Sequence, residues 1–404
     1  MSKSSEKKSK PISEWSCKVL HEDKGAMYMQ AEGVLQHFYE KEVEKRRLNY
    51  LLALEDFFQA SKEEIAQQFK RSFQSICLQL QKQQSQQQKG AIGHITFSML
   101  RTELLEGSHI YIVEGTDEDW FFDMHPVLAT YDANWAFRFL EQFIEELYLY
   151  SKTFMGAITK SDIEQIKIKE ATHFHQYVIS LVRYALADMI RCPEYVALNR
   201  AQTVEIRIGE YMDISEAVYI DDFSQKDTEE IKMWLNQKLE EEYPYEVFSH
   251  LNLSSGNYEN VDLRYAFFQK TNLSHSQMRD CQLIGANFKE SHLIEADLSF
   301  SSIYEADFRQ AELQGASFQQ VQGASGLADR ETWEMPGYLP VRFTGANLEG
   351  ANFELANLRG ACFLNANLKN AQFTGANLEK AIFSKEAREH LKLDPFQSAT
   401  VIWK

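Results

Sequence analysis

The chain has 404 residues, 44% of them hydrophobic and 25% charged, with 59 acidic against 42 basic side chains and a net charge of −17. This composition is typical of a soluble globular protein of about two or three domains. Binding to a phosphate backbone depends on lysine and arginine displacing counterions, so the acidic excess argues against a direct nucleic-acid partner. A basic protein partner fits the charge better.

The cysteines, the N-terminus and the apolar runs exclude further classes. Five cysteines are scattered without a CxxC pair, which argues against a disulfide framework or zinc site and favours a reducing, cytoplasmic compartment. Residues 1–14 are rich in lysine and serine without an apolar stretch behind them, and they predict a disordered tail. The best membrane candidate, 177–190, is short and contains Arg183 and Asp188, so no membrane partner is expected.

Residues 15–245 predict an α+β or mainly helical domain in which we recognise no family. Within 24–88, Ser61 and Glu64 form a capping box that predicts the start of a second helix. Alternation and β-branched residues between 92 and 113 predict a hairpin. The sequence also predicts three helices, at 133–155, 162–191 and 228–242, and a strand at 203–212. The first helix starts at Asp132, the second at a capping box from Ser161 to Glu164 and the third at Asp227.

An acidic segment from Glu114 to His125 is the main binding candidate in this domain. It holds five carboxylates beside one tryptophan and two phenylalanines, and Asp119 and Trp120 are candidate contacts for a cation or a basic peptide. The segment lacks the spacing of a calcium loop. The alternative is a solvated loop whose aromatic side chains dock on the core.

Residues for catalysis or metal binding are not predicted. His173 and His175 lie two apart on a predicted helix and therefore point about 200° apart, whereas one metal requires a spacing of three or four. No P-loop, GxSxG or HExxH motif occurs, so neither a cofactor nor a metal is expected. Enzyme activity in the N-terminal domain is a minor alternative, which requires a deep polar pocket near Asp123, His125 and His173.

A period of five residues dominates the chain from 246 to 383. Fourteen large apolar residues stand at every fifth position from Leu253 to Phe318, and nine more from Phe343 to Phe383. A small residue usually stands two positions earlier, and the outward positions are polar. Because this period matches neither helix nor strand, the chain must turn in every repeat and stack into a solenoid.

The triplets Ala286-Asn287-Phe288, Ala346-Asn347-Leu348 and Ala376-Asn377-Leu378 resemble the A-(D/N)-L-x-x pattern of the pentapeptide-repeat family. The resemblance covers about a third of the chain and implies a right-handed quadrilateral β-helix with four repeats per coil. Its twenty-three repeats make a rod about 28 Å long at about 4.8 Å per coil. Phe and Leu alternate in the nine repeats from Phe343 to Phe383, which predicts phenylalanine on two opposite sides of the interior.

An insert at 319–342 interrupts the repeats. Counted from Phe318 to Phe343, it adds twenty residues, one coil's worth. Trp333, Met335 and Tyr338 are of the kind that anchor interfaces and are candidate partner-binding residues. The alternative is that they fold back and patch the rod. In gyrase-protecting members of the family such loops are functional, which supports the first interpretation by analogy only.

The segment 384–404 contains Val401, Ile402 and Trp403. A repeat array needs its open end covered, so these residues predict a C-terminal cap. The alternative, which the resemblance also implies, is a homodimer contact through the same end.

The sequence favours a non-enzymatic protein-protein interaction scaffold or adaptor. The alternative implied by the resemblance is a DNA-mimicking regulator or protector of gyrase, a type II topoisomerase. Residues 246–383 contain sixteen acidic and ten basic side chains, a difference of −6, so the rod is a weak DNA mimic. Most of the negative charge lies in the N-terminal domain, where a basic partner is expected.

Overall fold

The computed structural model describes residues 33–327, 329–331 and 334–404, so the predicted tail, Cys17 and Trp333 lie outside the described residues. The helices of the N-terminal domain are α1 (Glu44–Ser85), α2 (Arg101–Leu105), α3 (Asn134–Ser151), α4 (Lys160–Met189), α5 (Pro193–Val196) and α6 (Thr228–Leu235). The strands are β1 (Ile92–Met99), β2 (Ile110–Asp117), β3 (Val127–Asp132), β4 (Arg200–Glu210) and β5 (Ser215–Asp222).

The five strands form one mixed sheet in the order β3-β2-β1-β4-β5, in which only β1 and β4 are parallel. Phe97 and Tyr131 point from the sheet to Phe69 of α1, at ring-centroid distances of 5.0 and 5.4 Å. Tyr111 on the same side contacts α3 and α4. The long helices therefore pack on one face of the sheet and make an α+β domain.

Several sequence predictions need correction here. A π-helical turn (Tyr39–Val43) leads into α1, which runs unbroken through Ser61, so the predicted second helix start is wrong. Phe58 and Ile65 continue one buried stripe across that position, and this burial outweighs the local cap. Helix α4 starts two residues early, on a capping box of Thr159 and Asp162.

The predicted hairpin is confirmed, although the short helix α2 replaces a tight turn between its strands. Asp227 caps α6 as predicted, accepting hydrogen bonds from two backbone amides, but the helix ends at Leu235. Strands β3 and β5 were not predicted.

The C-terminal half is a β-helix. Its bridges join residues twenty apart, from Val247–Phe267 to Asn357–Asn377, so four repeats complete a coil. β6 (Cys362–Phe363), β7 (Ile382–Phe383) and β8 (Ile402–Trp403) pair in parallel at the far end, beside the short helix α7 (Pro395–Thr400).

Phenylalanine fills the interior of the coils in two columns, as the alternation predicted. The rings of the first column stack at centroid distances of 4.8–5.1 Å and belong to Phe248, Phe268, Phe288, Phe308, Phe343, Phe363 and Phe383. The second column is Phe318, Phe353 and Phe373, whose rings meet the first edge to face. Stacking of like on like therefore makes one continuous core.

The insert is shorter than predicted. Bridges across it join residues 35 apart, such as Asp307 and Arg342, so it adds fifteen residues to a coil and not twenty. Residues 321–323 form one more repeat, with Gly323 at the inward position. A Cβ there would lie 2.8 Å from the Ile303 and Val341 side chains. The apolar pattern does not detect this repeat because glycine has no side chain. The extra repeat moves Phe343 one position further around the coil, so that it stacks on Phe308.

The N-terminal domain packs along one side of the rod. Phe267 stands where the repeat pattern has Asp or Asn, and its ring meets Tyr219 of β5 edge to face at 5.6 Å. Arg183 of α4 lies 3.8 Å from the Tyr265 ring centroid and donates to Glu216 at 2.6 Å. The outer surface of the repeats around Tyr265 and Phe267 therefore contacts the chain's own N-terminal domain.

Candidate functional site: the open face of the N-terminal sheet

The sheet face opposite the long helices is polar at its centre. Strand alternation places His94, Thr96 and Ser98 of β1 on this face, beside Glu114 and Thr116 of β2. We call it the open face. Thr96, Ser98 and Thr116 are nevertheless buried, because residues 117–126 and the turn between β4 and β5 overhang them. Between these two segments and the sheet lies a cavity of about 170 Å³.

The first overhanging segment is anchored by a buried ion pair between Lys89 and Asp123. Lys89 Nζ also donates to the His125 carbonyl at 3.0 Å. Asp123 accepts from the backbone amides of Asp117 and His125, at 3.1 and 2.9 Å. The acidic segment is therefore an ordered loop with a fixed place over the sheet.

Trp120 is part of the cavity lining. Its ring stacks on His94 at 4.5 Å with an interplanar angle of 12°, and Phe121 stacks on it in turn at 4.4 Å. Trp120 has φ +50°, and Met212 on the opposite side of the cavity has φ +54°. Left-handed backbone is unfavourable for bulky residues and clusters at functional sites, so both overhangs hold strained positions.

The cavity holds polar groups without partners among the described residues. Thr116 is 6% exposed, and its Oγ1 makes no hydrogen bond. Burial alone raises the pKa of Glu114, and no neighbouring charge or hydrogen bond offsets it. The other lining carboxylates are paired: Asp123 with Lys89, and Glu210 and Asp213 with Arg101. The unpaired carboxylate and hydroxyl suit a hydrogen-bond donor with positive charge.

Exposed apolar side chains line this cavity or stand next to its lining residues. Phe121, Tyr211 and Met212 belong to the lining, and Leu128 stands beside Glu114 in the sheet register. We call the whole set the rim: Phe121, Phe122, Met124, Leu128, Tyr211, Met212 and Ile214. Single exposed apolar residues are ordinary, but a cluster around a polar centre is typical of an interaction surface.

The structure separates the residues that an enzyme site would have joined. Asp123 lines the cavity, whereas His125 and His173 do not. His173 lies near Glu170 and Arg47, and the buried His175 contacts the Tyr111 hydroxyl at 2.6 Å. The two histidines thus have different surroundings, as their spacing predicted. No group of three metal-binding side chains occurs within the described ranges.

Of the predicted contacts in the acidic segment, Trp120 reaches the cavity, and Asp119 is exposed beside it. Sequence reasoning missed the contributions of β1 and of the β4–β5 turn. The alternating polar residues Thr96 and Ser98, of which Thr96 stands opposite Glu114, were the available signal.

The insert lies between the rod and the N-terminal domain. The Tyr338 ring meets Tyr177 of α4 edge to face at 4.9 Å, and Met335 packs on the same core. Gln59 Nε2 donates to the Tyr338 carbonyl at 3.1 Å, and Arg330 pairs with Asp56 at 2.8 Å. The described part of the insert therefore joins the two halves of the chain, while partner binding through it stays a prediction.

The C-terminal segment adds a last rung to the rod. Ile402 and Trp403 pair with Ile382 and Phe383, and Val401 is buried. Gln397 Nε2 donates to the Phe373 and Ala376 carbonyls at 2.7 and 2.9 Å. These contacts cover the end of the phenylalanine columns. A homodimer through Ile402, which is exposed, stays a prediction.

Comparison with known proteins identifies the repeats. The family model of pentapeptide repeats matches in eight copies, at 281–320, 341–375 and 363–384. The C-terminal part of the chain therefore carries pentapeptide repeats, as predicted. No family model matches the N-terminal region. None of the curated proteins matches the sequence. No helix among the described residues is both long and apolar enough for a membrane span.

Solved structures similar to the chain include two that are described as pentapeptide-repeat proteins. HetL of Nostoc sp. strain PCC 7120 is 19% identical over 39% of this chain and 94% of its own, with a TM-score of 0.15. QnrB1, a plasmid-mediated fluoroquinolone resistance protein, is 19% identical over 39% and 89%, with a TM-score of 0.25. A protein of the Arabidopsis thaliana thylakoid lumen is 19% identical over 41% and 77%, with a TM-score of 0.12.

Proposed function

We propose that this chain is a non-enzymatic scaffold or adaptor that binds a protein partner on the open face of its N-terminal sheet. In this proposal a right-handed, four-sided β-helix is the rigid support of the binding domain. The observation that carries it is the rim, seven exposed apolar side chains that line the polar cavity or stand next to its lining residues. An apolar cluster of this kind is stabilised when a partner covers it.

The union of the two halves supports a scaffold role. Tyr219 contacts Phe267 of the rod, and Tyr177 contacts Tyr338 of the insert. Asp188 of α4 accepts from Arg309 at 2.9 Å, on the same side of the rod. Apolar and charged contacts together hold the binding face in one orientation relative to the repeats.

A matched pair of methionines tests the proposal. Met212 lies in the rim, is 74% exposed and has φ +54°. Met155 lies outside the rim, is 97% exposed and has φ +52°. Aspartate tolerates such backbone, so Met212→Asp and Met155→Asp differ mainly in location. Affinity purification with the full chain should lose a partner with Met212→Asp and retain it with Met155→Asp.

A photo-crosslinking residue at Phe122, also in the rim, should then form a covalent adduct with that same partner. Capture that is equal for the wild type and both variants, without an adduct at Phe122, would contradict the proposal. Circular dichroism of each variant checks that the fold is retained.

A further inference from the structure

The cavity on the open face has the size and polarity of a pocket for one charged head group. Its volume of about 170 Å³ is below the roughly 300–1,000 Å³ of sites for drug-sized ligands. The cavity is too small to enclose a whole metabolite, but it can hold the end of one long side chain.

The charges around the cavity favour a cation. Its lining contains four carboxylates, of Glu114, Asp123, Glu210 and Asp213, and no basic residue. Lys89 and Arg101 neutralise the last three in part. Arg207, 5.4 Å from the Trp120 ring centroid, donates to Glu205 at 2.6 Å. Of the four lining carboxylates, only that of Glu114 has no basic side chain paired with it among the described residues.

The neutral groups complete the match. The buried Thr116 hydroxyl has no partner, and Thr96 and Ser98 place further hydroxyl oxygens along the lining. Hydroxyl and carboxylate oxygens accept the several N–H bonds of a guanidinium or ammonium group. The Trp120 and Phe121 rings in the lining suit the aliphatic stem of such a side chain.

We propose that this cavity receives an arginine or lysine side chain of the partner protein, with Glu114 as its counter-ion and Thr116 as a hydrogen-bond acceptor. The inference rests on the proposed function, which it extends by naming the chemistry of the partner. It also gives a physical role to the acidic excess of the N-terminal domain, since the unpaired carboxylate acts together with a negative local field.

Small cations test this pocket without knowledge of the partner. Full-length protein carrying 5-fluorotryptophan is titrated with n-butylguanidinium and n-butylammonium, and with n-butylurea as the uncharged control. The ¹⁹F resonance of Trp120 is identified by its loss in Trp120→Phe. At least one cation should shift this resonance in a saturable manner. Equal shifts with n-butylurea or with Mg²⁺ would overturn the proposal.

Two variants place the cation on the named groups. Glu114→Gln should weaken binding about tenfold or more, because it removes the charge that the cation contacts. Thr116→Val, which keeps the shape, should weaken it about threefold. Glu118→Gln removes the same charge from an exposed neighbour outside the lining and should change the affinity less than twofold. Unchanged affinity in both Glu114→Gln and Thr116→Val would overturn the assignment.

The two proposals fail differently. If Met212→Asp abolishes partner capture while the cations do not bind, the scaffold role stands and the basic side chain is excluded. If the cations bind and capture is independent of Met212, cation binding by the pocket stands, but docking of the partner on the rim is excluded.

Discussion

Asp307 is a buried charge at the junction of the two halves of the chain. It accepts hydrogen bonds from Arg309 at 3.0 Å and lies 3.0 Å from Arg342, and Arg309 also reaches Asp188 of α4. Burial by itself would raise the pKa of Asp307, but Arg342 and Arg309 outweigh it and lower this pKa. The carboxylate is therefore ionised and holds two cations of the rod.

Asp307→Asn should lower the free energy of unfolding by about 3–5 kcal/mol, because it leaves Arg342 in a buried site without its counter-ion and leaves Arg309 with Asp188 alone. Asp297 offers the control, since it stands at the same repeat position and accepts the same kind of backbone amide bond. Its side chain is more exposed, so Asp297→Asn should cost less than about 1 kcal/mol. Urea unfolding of both variants measures the difference, and equal losses would contradict this account.

Glu305 makes the stability of the fold depend on pH in the opposite direction to Asp307. Burial between the rod and the insert raises its pKa, and Arg183 only partly offsets this effect. The folded state therefore holds this proton more tightly than the unfolded state. The contribution of Glu305 to stability is greatest below the ordinary glutamate pKa of about 4.3 and falls as pH rises through the higher folded value.

Glu305→Gln should consequently make the protein more stable at pH 7 while changing little at pH 4. Glutamine can still accept the Tyr338 amide bond that Glu305 Oε1 accepts at 2.7 Å. Glu295→Gln, at an exposed position of the same repeat phase, should leave the difference between the two pH values as in the wild type. The midpoints of urea unfolding at pH 4 and pH 7 measure this effect. If Glu305→Gln were less stable than the wild type at pH 7, the raised pKa of Glu305 would be refuted.

At the level of elements, the overhanging loop depends on a contact with the end of α1. Lys89 follows that helix and forms the buried ion pair with Asp123, while Asp123 fixes the backbone on both sides of Trp120. The position of the loop therefore depends on the ion pair between Asp123 and Lys89, which lies outside the loop.

Lys89→Met should therefore destabilise the protein by about 3–5 kcal/mol and loosen the loop, because Asp123 remains buried without a cation. Hydrogen exchange at the amides of Asp117 and His125 should accelerate. The double variant Lys89→Met/Asp123→Asn removes both charges and should recover part of the stability. A double variant no more stable than Lys89→Met would show that charge is not the cause.

The elements also show where local patterns mislead. The capping box at Ser61 is a valid helix start by itself, yet α1 continues because Phe58 and Ile65 are buried in one core. The repeat at Gly323 is invisible as an apolar pattern, yet its backbone pairs like its neighbours. In both places non-local packing decides between alternatives that are equal in the local sequence.

At the scale of the whole molecule, the domain and the rod share buried surface. Phe267 belongs to the repeats by position and to the core of the N-terminal domain by contact. Leu339 of the insert is buried in the same core. Unfolding of one half should therefore weaken the other.

Phe267→Asn tests this coupling, because asparagine is common at this repeat position and should leave the rod intact. Loss of a buried phenylalanine should destabilise the N-terminal domain by about 3–5 kcal/mol and separate one calorimetric transition into two. Gln277→Asn, at the same repeat position but exposed, should change neither. A single, equally stable transition in Phe267→Asn would show that the halves are independent.

The sequence by itself determined the repeat architecture and the phenylalanine columns, because a period of five repeated many times specifies which residues face inward wherever the coil lies. It also placed the acidity in the N-terminal domain. Only the tertiary structure decided which side of the rod is covered, and that the insert joins the two halves. It alone brought Glu114 and Thr116 under Trp120. Alternation along a strand assigns residues to two faces, but packing from distant parts of the chain decides which face is covered and by what.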